Sequence, residues 1–178
     1  MQNRRSRTWL LSLLLLSSAI HAETLSGRVV AVSDGDTITV LNADKDQHKI
    51  RVAGIDAPEK AQAFGNRSKQ HLSHLVFGKS VSIEWTKRDR YGRVVGKIIV
   101  AAPEDCPDAS HGCPKILDAG LAQVNAGLAW HYKQYAKEQS PEDREHYAAA
   151  EQRARENRVG LWRDENPVPP WEWRHQRR

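Results

Sequence analysis

The stretch LSGRVVAVSDGDTITVLNADKDQHKIRVAGIDAPE, residues 25–59, decides the fold. Residues 25–32 are rich in β-branched side chains, with Gly27 readable as a bulge. Asp34-Gly35 signals a turn, and Thr37-Ile38-Thr39-Val40 alternates polar and apolar, as a strand with one buried face does. A polar turn runs from Asn42 to Gln47, and Ile50, Val52 and Ile55 predict a third strand. Three strands joined by short turns make an antiparallel meander. Ala57-Pro58 ends it, because the residue before a proline avoids the helical region.

Toward the C-terminus the period changes. Lys60 to Phe77 reads as a helix, with Phe64, Ser68, Leu72, Leu75 and Val76 on one face and Gly78 as its C-cap. Val81, Ile83 and Trp85 alternate as a strand, Asp89-Arg90-Tyr91-Gly92-Arg93 is turn-like, and Val94 to Val100 is apolar enough to be a central strand. A helix is expected near Ile116 to Ala126, stopped by Gly127. Another starts at Ser140-Pro141-Glu142-Asp143, a good N-cap, first-turn proline and acidic first turn, and runs to about Arg158, with Gly160 as a stop. The tail Pro167-Val-Pro-Pro-Trp171-Glu-Trp173 reads as extended, with its tryptophans packed back on the domain. About five strands with helices inserted late suit a small β-barrel such as an OB-fold, though pattern alone leaves α+β sandwiches open.

Toward the N-terminus, Arg4, Arg5 and Arg7 precede an apolar run, Trp9 to Ile20, that is short for a bilayer span, and small Ala22 follows. This is the pattern of a signal peptide cleaved near Ala22, so the chain is expected to be exported, periplasmic or extracellular, without stable membrane association. The domains are then 1–22 signal peptide, 23–165 folded domain and 166–178 tail. The formal charge of +5 comes from 27 basic and 22 acidic residues. Setting the three N-terminal arginines aside leaves 24 against 22, or +2, so any basic site is local. Cys106 and Cys113 close a short polar loop, and in an oxidising compartment they are expected to form a disulfide.

Reactive residues crowd three segments: Asp34-Gly35-Asp36-Thr37, Arg51 through Glu59, and Asp89 through Arg93. Asp36 lies where a turn enters a strand, and Asp56 and Glu59 bracket a proline turn. If the strands pair, Asp36 and Asp56 converge at one barrel mouth and make, with backbone carbonyls and water, a site for a hard cation such as calcium. Each acid alone reads equally well as a turn residue. Arg51 sits in a strand that is otherwise apolar and needs an anionic partner. That partner is either a phosphate matched by its planar fork or a structural acid such as Asp56. Arg93 follows a turn and leads into an apolar strand, which lets it reach the same mouth, although alone it reads better as a solvated turn residue. A cation beside two arginines neutralises charge growing on a phosphoryl group, and a carboxylate such as Glu59 orients or deprotonates water. Tyr91 is placed to stack on a base or bond a phosphate.

Asp-Gly-Asp-Thr, then Arg, then Asp-x-Pro-Glu, then Asp-Arg-Tyr-Gly-Arg, in that order, resembles the staphylococcal nuclease (thermonuclease) family over roughly residues 25 to 162. The resemblance implies an α+β fold: a five-stranded OB-fold β-barrel with about three α-helices. It implies a protein that binds one calcium ion (Ca2+) and cleaves DNA and RNA, both endo- and exonucleolytically, leaving 3′-phosphate ends; the chain itself is expected to be a monomer. Position by position, it implies Asp36 and Asp56 as metal carboxylates and the Ala57 carbonyl as a third ligand. Glu59 matches the proposed general base, and Arg51 and Arg93 match the pair on the scissile phosphate. Arg90 and Tyr91 match substrate contacts, and either Tyr132 or Tyr135 takes a further substrate-binding place. A non-catalytic OB-fold module that binds single strands is the competing reading. Retention of Asp36, Arg51, Asp56, Glu59 and Arg93 together disfavours it.

Overall fold

The computed structural model describes residues 23–100 and 117–177. The expected signal peptide and the Cys106–Cys113 pair lie outside these residues. The meander forms as read. Strands β1 (Glu23–Val32), β2 (Thr37–Leu41) and β3 (Gln47–Val52) pair antiparallel in sequence. The third strand, however, breaks after Val52. Gly54 turns the chain at φ 74°, and Ile55–Asp56 leave the sheet as a separate short strand, β4. The bulge is also displaced from Gly27: the irregularity in the β1–β2 ladder falls between Val29 and Ala31. Gly27 instead serves close approach, since a Cβ there would meet the Leu41 carbonyl oxygen at 2.4 Å.

Helix α1 (Gly65–Val76) starts five residues later than its apolar periodicity predicts. Phe64 is left-handed at φ 66°, and the turns before it are closed by Gln62 N–H to Glu59 O and Gly65 N–H to Gln62 O. Strands β5 (Ser80–Arg88) and β6 (Val94–Val100) follow, antiparallel to each other, with β5 also paired to β1. β6 then pairs parallel with β3, matching Ile50 with Val94, Arg51 with Val95 and Val52 with Gly96. That seam closes five strands into a barrel. Strand β7 (Leu117–Asp118) extends the sheet beyond β6. Inward positions of the strands, including Ile38, Val40, Ile50, Ile83 and Ile98, are fully buried, and α1 caps the core with Leu72 and Val76.

Helix α2 (Ala119–Asn125) is capped by Asp118, whose side chain accepts from the Gly120 and Leu121 amides. Strand β8 (Trp130–His131) pairs with β4, setting Asp56 opposite Trp130. A 3-10 helix, Lys133–Glu138, leads to α3 (Pro141–Glu156), where Ser140 caps the Asp143 amide as its sequence predicts. A second 3-10 turn, Gly160–Arg163, packs Leu161 and Trp162 beside Trp130 and Ala154.

The extended tail is corrected. Residues 167–169 are irregular, but Pro170–Gln176 form a fourth helix, α4. A proline run reads as polyproline, yet Pro170 sits at the first helical turn, where a missing N–H costs nothing. One of its two tryptophans packs back: Trp171 meets Trp130 edge-on at 5.5 Å.

Candidate active site

The Asp34-Gly35-Asp36 turn is held from beneath. Gln123 on α2 donates Nε2 to the Gly35 carbonyl at 2.7 Å and to the Ser68 carbonyl at 3.1 Å, while its Oε1 faces His71 Nδ1. Gln123 and Ser68 are fully buried. A Cβ at Gly35 would lie 1.9 Å from Ser68 Oγ and 2.7 Å from Ala57 Cβ, so only glycine lets the turn seat here. Gly35→Ala is therefore expected to destabilise the protein by about 1–3 kcal/mol, the usual cost of overpacking. Urea denaturation measures it, and an unchanged midpoint would show that the turn is not pinned.

That seating turns Asp36 inward. Its Oδ2 accepts the Ala57 N–H at 2.7 Å and its Oδ1 accepts the Thr37 hydroxyl at 3.1 Å. Asp56, only 1% exposed, points to the same place from β4. Arg51 joins them, with Nη2 lying 2.9 Å from Asp56 Oδ1 and 3.2 Å from Asp36 Oδ2. Its Nη1 donates to the Val52 and Ile55 carbonyls at 3.0 and 2.9 Å. The structural-acid reading of Arg51 is thus realised, and one guanidinium edge gathers both aspartates.

Burial pushes the Asp36 carboxyl up to about 7 from the ordinary 3.8. Arg51 opposes the shift, and the charges of Asp34 and Asp56 add to it. A folded pKa above the unfolded one means that the folded chain holds a proton the unfolded chain has lost. The associated stability is full below about pH 4 and is lost as pH rises through about 7. In metal-free protein, the melting temperature of wild type minus that of Asp36→Asn should fall across this window. A difference that grows with pH would contradict the burial argument.

These residues suit a hard cation. Two buried carboxylates reach one guanidinium nitrogen, and burial makes one of them, Asp36, resist ionising. Among the described residues no three or more His, Cys, Asp or Glu side chains surround a single point. Remaining ligands would therefore be carbonyls and water, as such ions accept. The Ala57 N–H, bonded to Asp36, holds the two segments together.

Glu59, on the turn after β4, is half-exposed, and its Oε1 lies 2.8 Å from Arg174 Nη1. Arg174, on α4, also grips Asp56, with Nη2 at 2.8 Å from Oδ2 and Nη1 at 3.3 Å from Oδ1. Burial works against its charge, but the bonds to Asp56 and Glu59 outweigh this and hold it more firmly protonated. No sequence motif pointed to Arg174, whose partners lie more than a hundred residues away.

The other candidates divide. Arg93 closes on Asp89, Nε to Oδ2 at 2.7 Å, and this pairing, against the opposing effect of burial, lowers the Asp89 pKa. It makes no ion pair with Asp36, Asp56 or Glu59 among the described contacts. It directly precedes β6, whose Val95 pairs with Arg51. Tyr91 is exposed on that turn, between Arg90 at 5.0 Å and Arg93 at 5.4 Å from its ring centre. Tyr132 sits by β4, its N–H on the Gly54 carbonyl, and burial and the Asp56 charge raise its pKa. Tyr135 lies edge-on to it at 5.0 Å, farther out.

A family model described as staphylococcal nuclease homologue matches residues 49–164. The chain is 40% identical to Protein ParB of Escherichia coli over 166 residues, 93% of this chain and 88% of that protein. It is 41% identical to a micrococcal nuclease of Shigella flexneri over 148 residues, 83% and 79% of the two chains. An uncharacterized endonuclease of Escherichia coli is 37% identical over 167 residues, 94% and 96%.

Proposed function

This chain belongs to the staphylococcal nuclease homologue family, and on that premise we propose that it is an exported, calcium-dependent nuclease. It hydrolyses phosphodiester bonds of DNA and RNA, within strands and from their ends, and leaves 3′-phosphates. The observation that carries this reading is the meeting of Asp36 and Asp56 on one edge of Arg51, with Glu59 on the adjoining turn.

Each residue then has a task. Asp36 and Asp56, with the Ala57 carbonyl, hold the single calcium ion. When bound, that ion supplies positive charge to the phosphoryl oxygens. Arg51 offers the phosphate the Nη2 edge that it otherwise lends to the two aspartates. Its Nη1 stays anchored on Val52 and Ile55, so the fork is oriented before substrate arrives. Arg93 leaves Asp89 to meet the phosphate from the neighbouring strand. Glu59 takes the proton of the attacking water. Arg90 and Tyr91 meet the flanking strand, and Tyr132 stacks on a base more directly than Tyr135.

The deciding experiment is release of acid-soluble nucleotides from single-stranded DNA with calcium, repeated with excess chelator. Activity that appears with calcium and vanishes with chelator supports the mechanism. Folded, calcium-loaded protein inert on DNA and RNA alike would leave a strand-binding module instead.

A further inference from the structure

The C-terminal helix α4 lies across the residues that the proposed reaction needs. Both oxygens of Asp56 are taken by guanidinium groups: Oδ2 by Arg174, and Oδ1 by Arg51 and Arg174 together. Glu59 Oε1 is held by the same Arg174. Three residues earlier on the helix, the Trp171 ring stacks on Tyr132 with centroids 5.4 Å apart and planes 14° from parallel. The helix thus sets a cation on the acids and an aromatic ring on the tyrosine face at once. Those are the two things, a positive charge and a flat ring, that metal and nucleotide would bring.

From this we infer that α4 is an intramolecular plug. It competes with calcium through Arg174 and with a nucleotide base through Trp171. The inference rests on the metal and substrate roles proposed above for Asp56, Glu59 and Tyr132.

The attachment is built for release. Gln62 ties the plug to the Glu59 turn, taking the Glu59 N–H on Oε1 and donating Nε2 to the Val168 carbonyl at 2.6 Å. This leash lies before the helix, so α4 can swing without detaching the chain. The helix is only two turns long. Its pair with Glu59 is open to solvent, with side-chain exposures of 39% for Arg174 and 41% for Glu59, while on the Asp56 side only the arginine is exposed. A pair as exposed as that with Glu59 is screened and readily exchanged. Calcium and Arg174 cannot both satisfy Asp56, so cation entry and helix release are one linked equilibrium.

Calcium titration by calorimetry on the intact chain tests this. If the plug is closed about ten times more often than open, apparent affinity is lowered about tenfold. Arg174→Gln is expected to recover that factor. Trp171→Ala, which changes no charge and touches no carboxylate, is expected to recover much of it. Arg177→Gln is the control for bulk charge: Arg177 lies on the next turn, is exposed, and packs on Trp173. It should leave affinity within about twofold, because a screened surface charge acts weakly. In wild type, calcium should also speed hydrogen exchange at the Trp173 amide, which is bonded to the Pro169 carbonyl.

Equal calcium affinity in wild type and Arg174→Gln, or the same gain from Arg177→Gln, overturns the plug while leaving the metal site intact. Absence of calcium binding from every folded variant overturns the metal reading and the plug with it. Should Trp171→Ala fail to fold, Arg174→Gln and the exchange measurement decide.

Discussion

Glu59→Gln is expected to lower the turnover rate by about 10²–10⁴-fold, the range a positioned general base contributes, with almost no change in melting temperature. The structure makes that split sharp. The Glu59 carboxylate is half-exposed, and its one ion pair among the described contacts is with Arg174, itself partly exposed. Such a pair is worth little to stability. The backbone of the turn does not need the carboxylate either, since the Glu59 N–H is satisfied by Gln62 Oε1 and its carbonyl by the Gln62 N–H. Single-turnover kinetics beside a thermal melt measure both quantities. A rate within about twofold of wild type would remove Glu59 from proton transfer, whose loss costs at least about a hundredfold. Equal falls in rate and stability would show a structural role instead.

Arg51→Lys should fail on both counts. Lysine keeps the charge but offers a point in place of a fork. In the folded protein Arg51 satisfies two carbonyls through Nη1 and two aspartates through Nη2. An ammonium cannot reach all four, and Asp56 and the strand carbonyls are buried. A loss of roughly 1–3 kcal/mol of stability follows from the unsatisfied acceptors. The rate should drop by about 10²–10³, as when an oriented donor to a developing charge is lost. The two effects are separable, because the calcium proposed to bind here would compensate part of the stability loss by mass action and leave the missing fork unrepaired. Full activity in the lysine variant would exclude bidentate phosphate binding by Arg51.

What was legible in the sequence is local. Ser140 caps its helix, alternating residues such as Ile38 and Val40 face the core, and the acid-rich turns mark the site, because each signal lies within a few residues of its cause. The misreadings have two origins: causes distant in sequence, and local signals that read two ways. Gly27 signals either a bulge or a close approach, and only the position of Leu41 on the next strand chooses between them. Phe64 delays α1 because the chain must first turn after Glu59, with Gly65 pressed against the Glu59 carbonyl. Gln123, on a short helix, looks like any polar residue until Gly35 and Ser68 close around it. The helix at Pro170 was hidden by its own prolines, and Arg174 by the distance to Asp56.

The parallel β3–β6 seam has a kinetic consequence. It joins Ile50 to Val94 and Arg51 to Val95, partners separated by a helix and two strands, and it brings the strand that follows the Arg93 turn alongside Arg51. Contacts of such long sequence separation form slowly, because loop entropy is lost before they repay it. A chain that has not yet closed this seam carries both arginines but has not set Arg51 beside the strand that Arg93 leads into. The face on which the proposed phosphate contacts depend is therefore expected to form late in folding, after the local turns and hairpins.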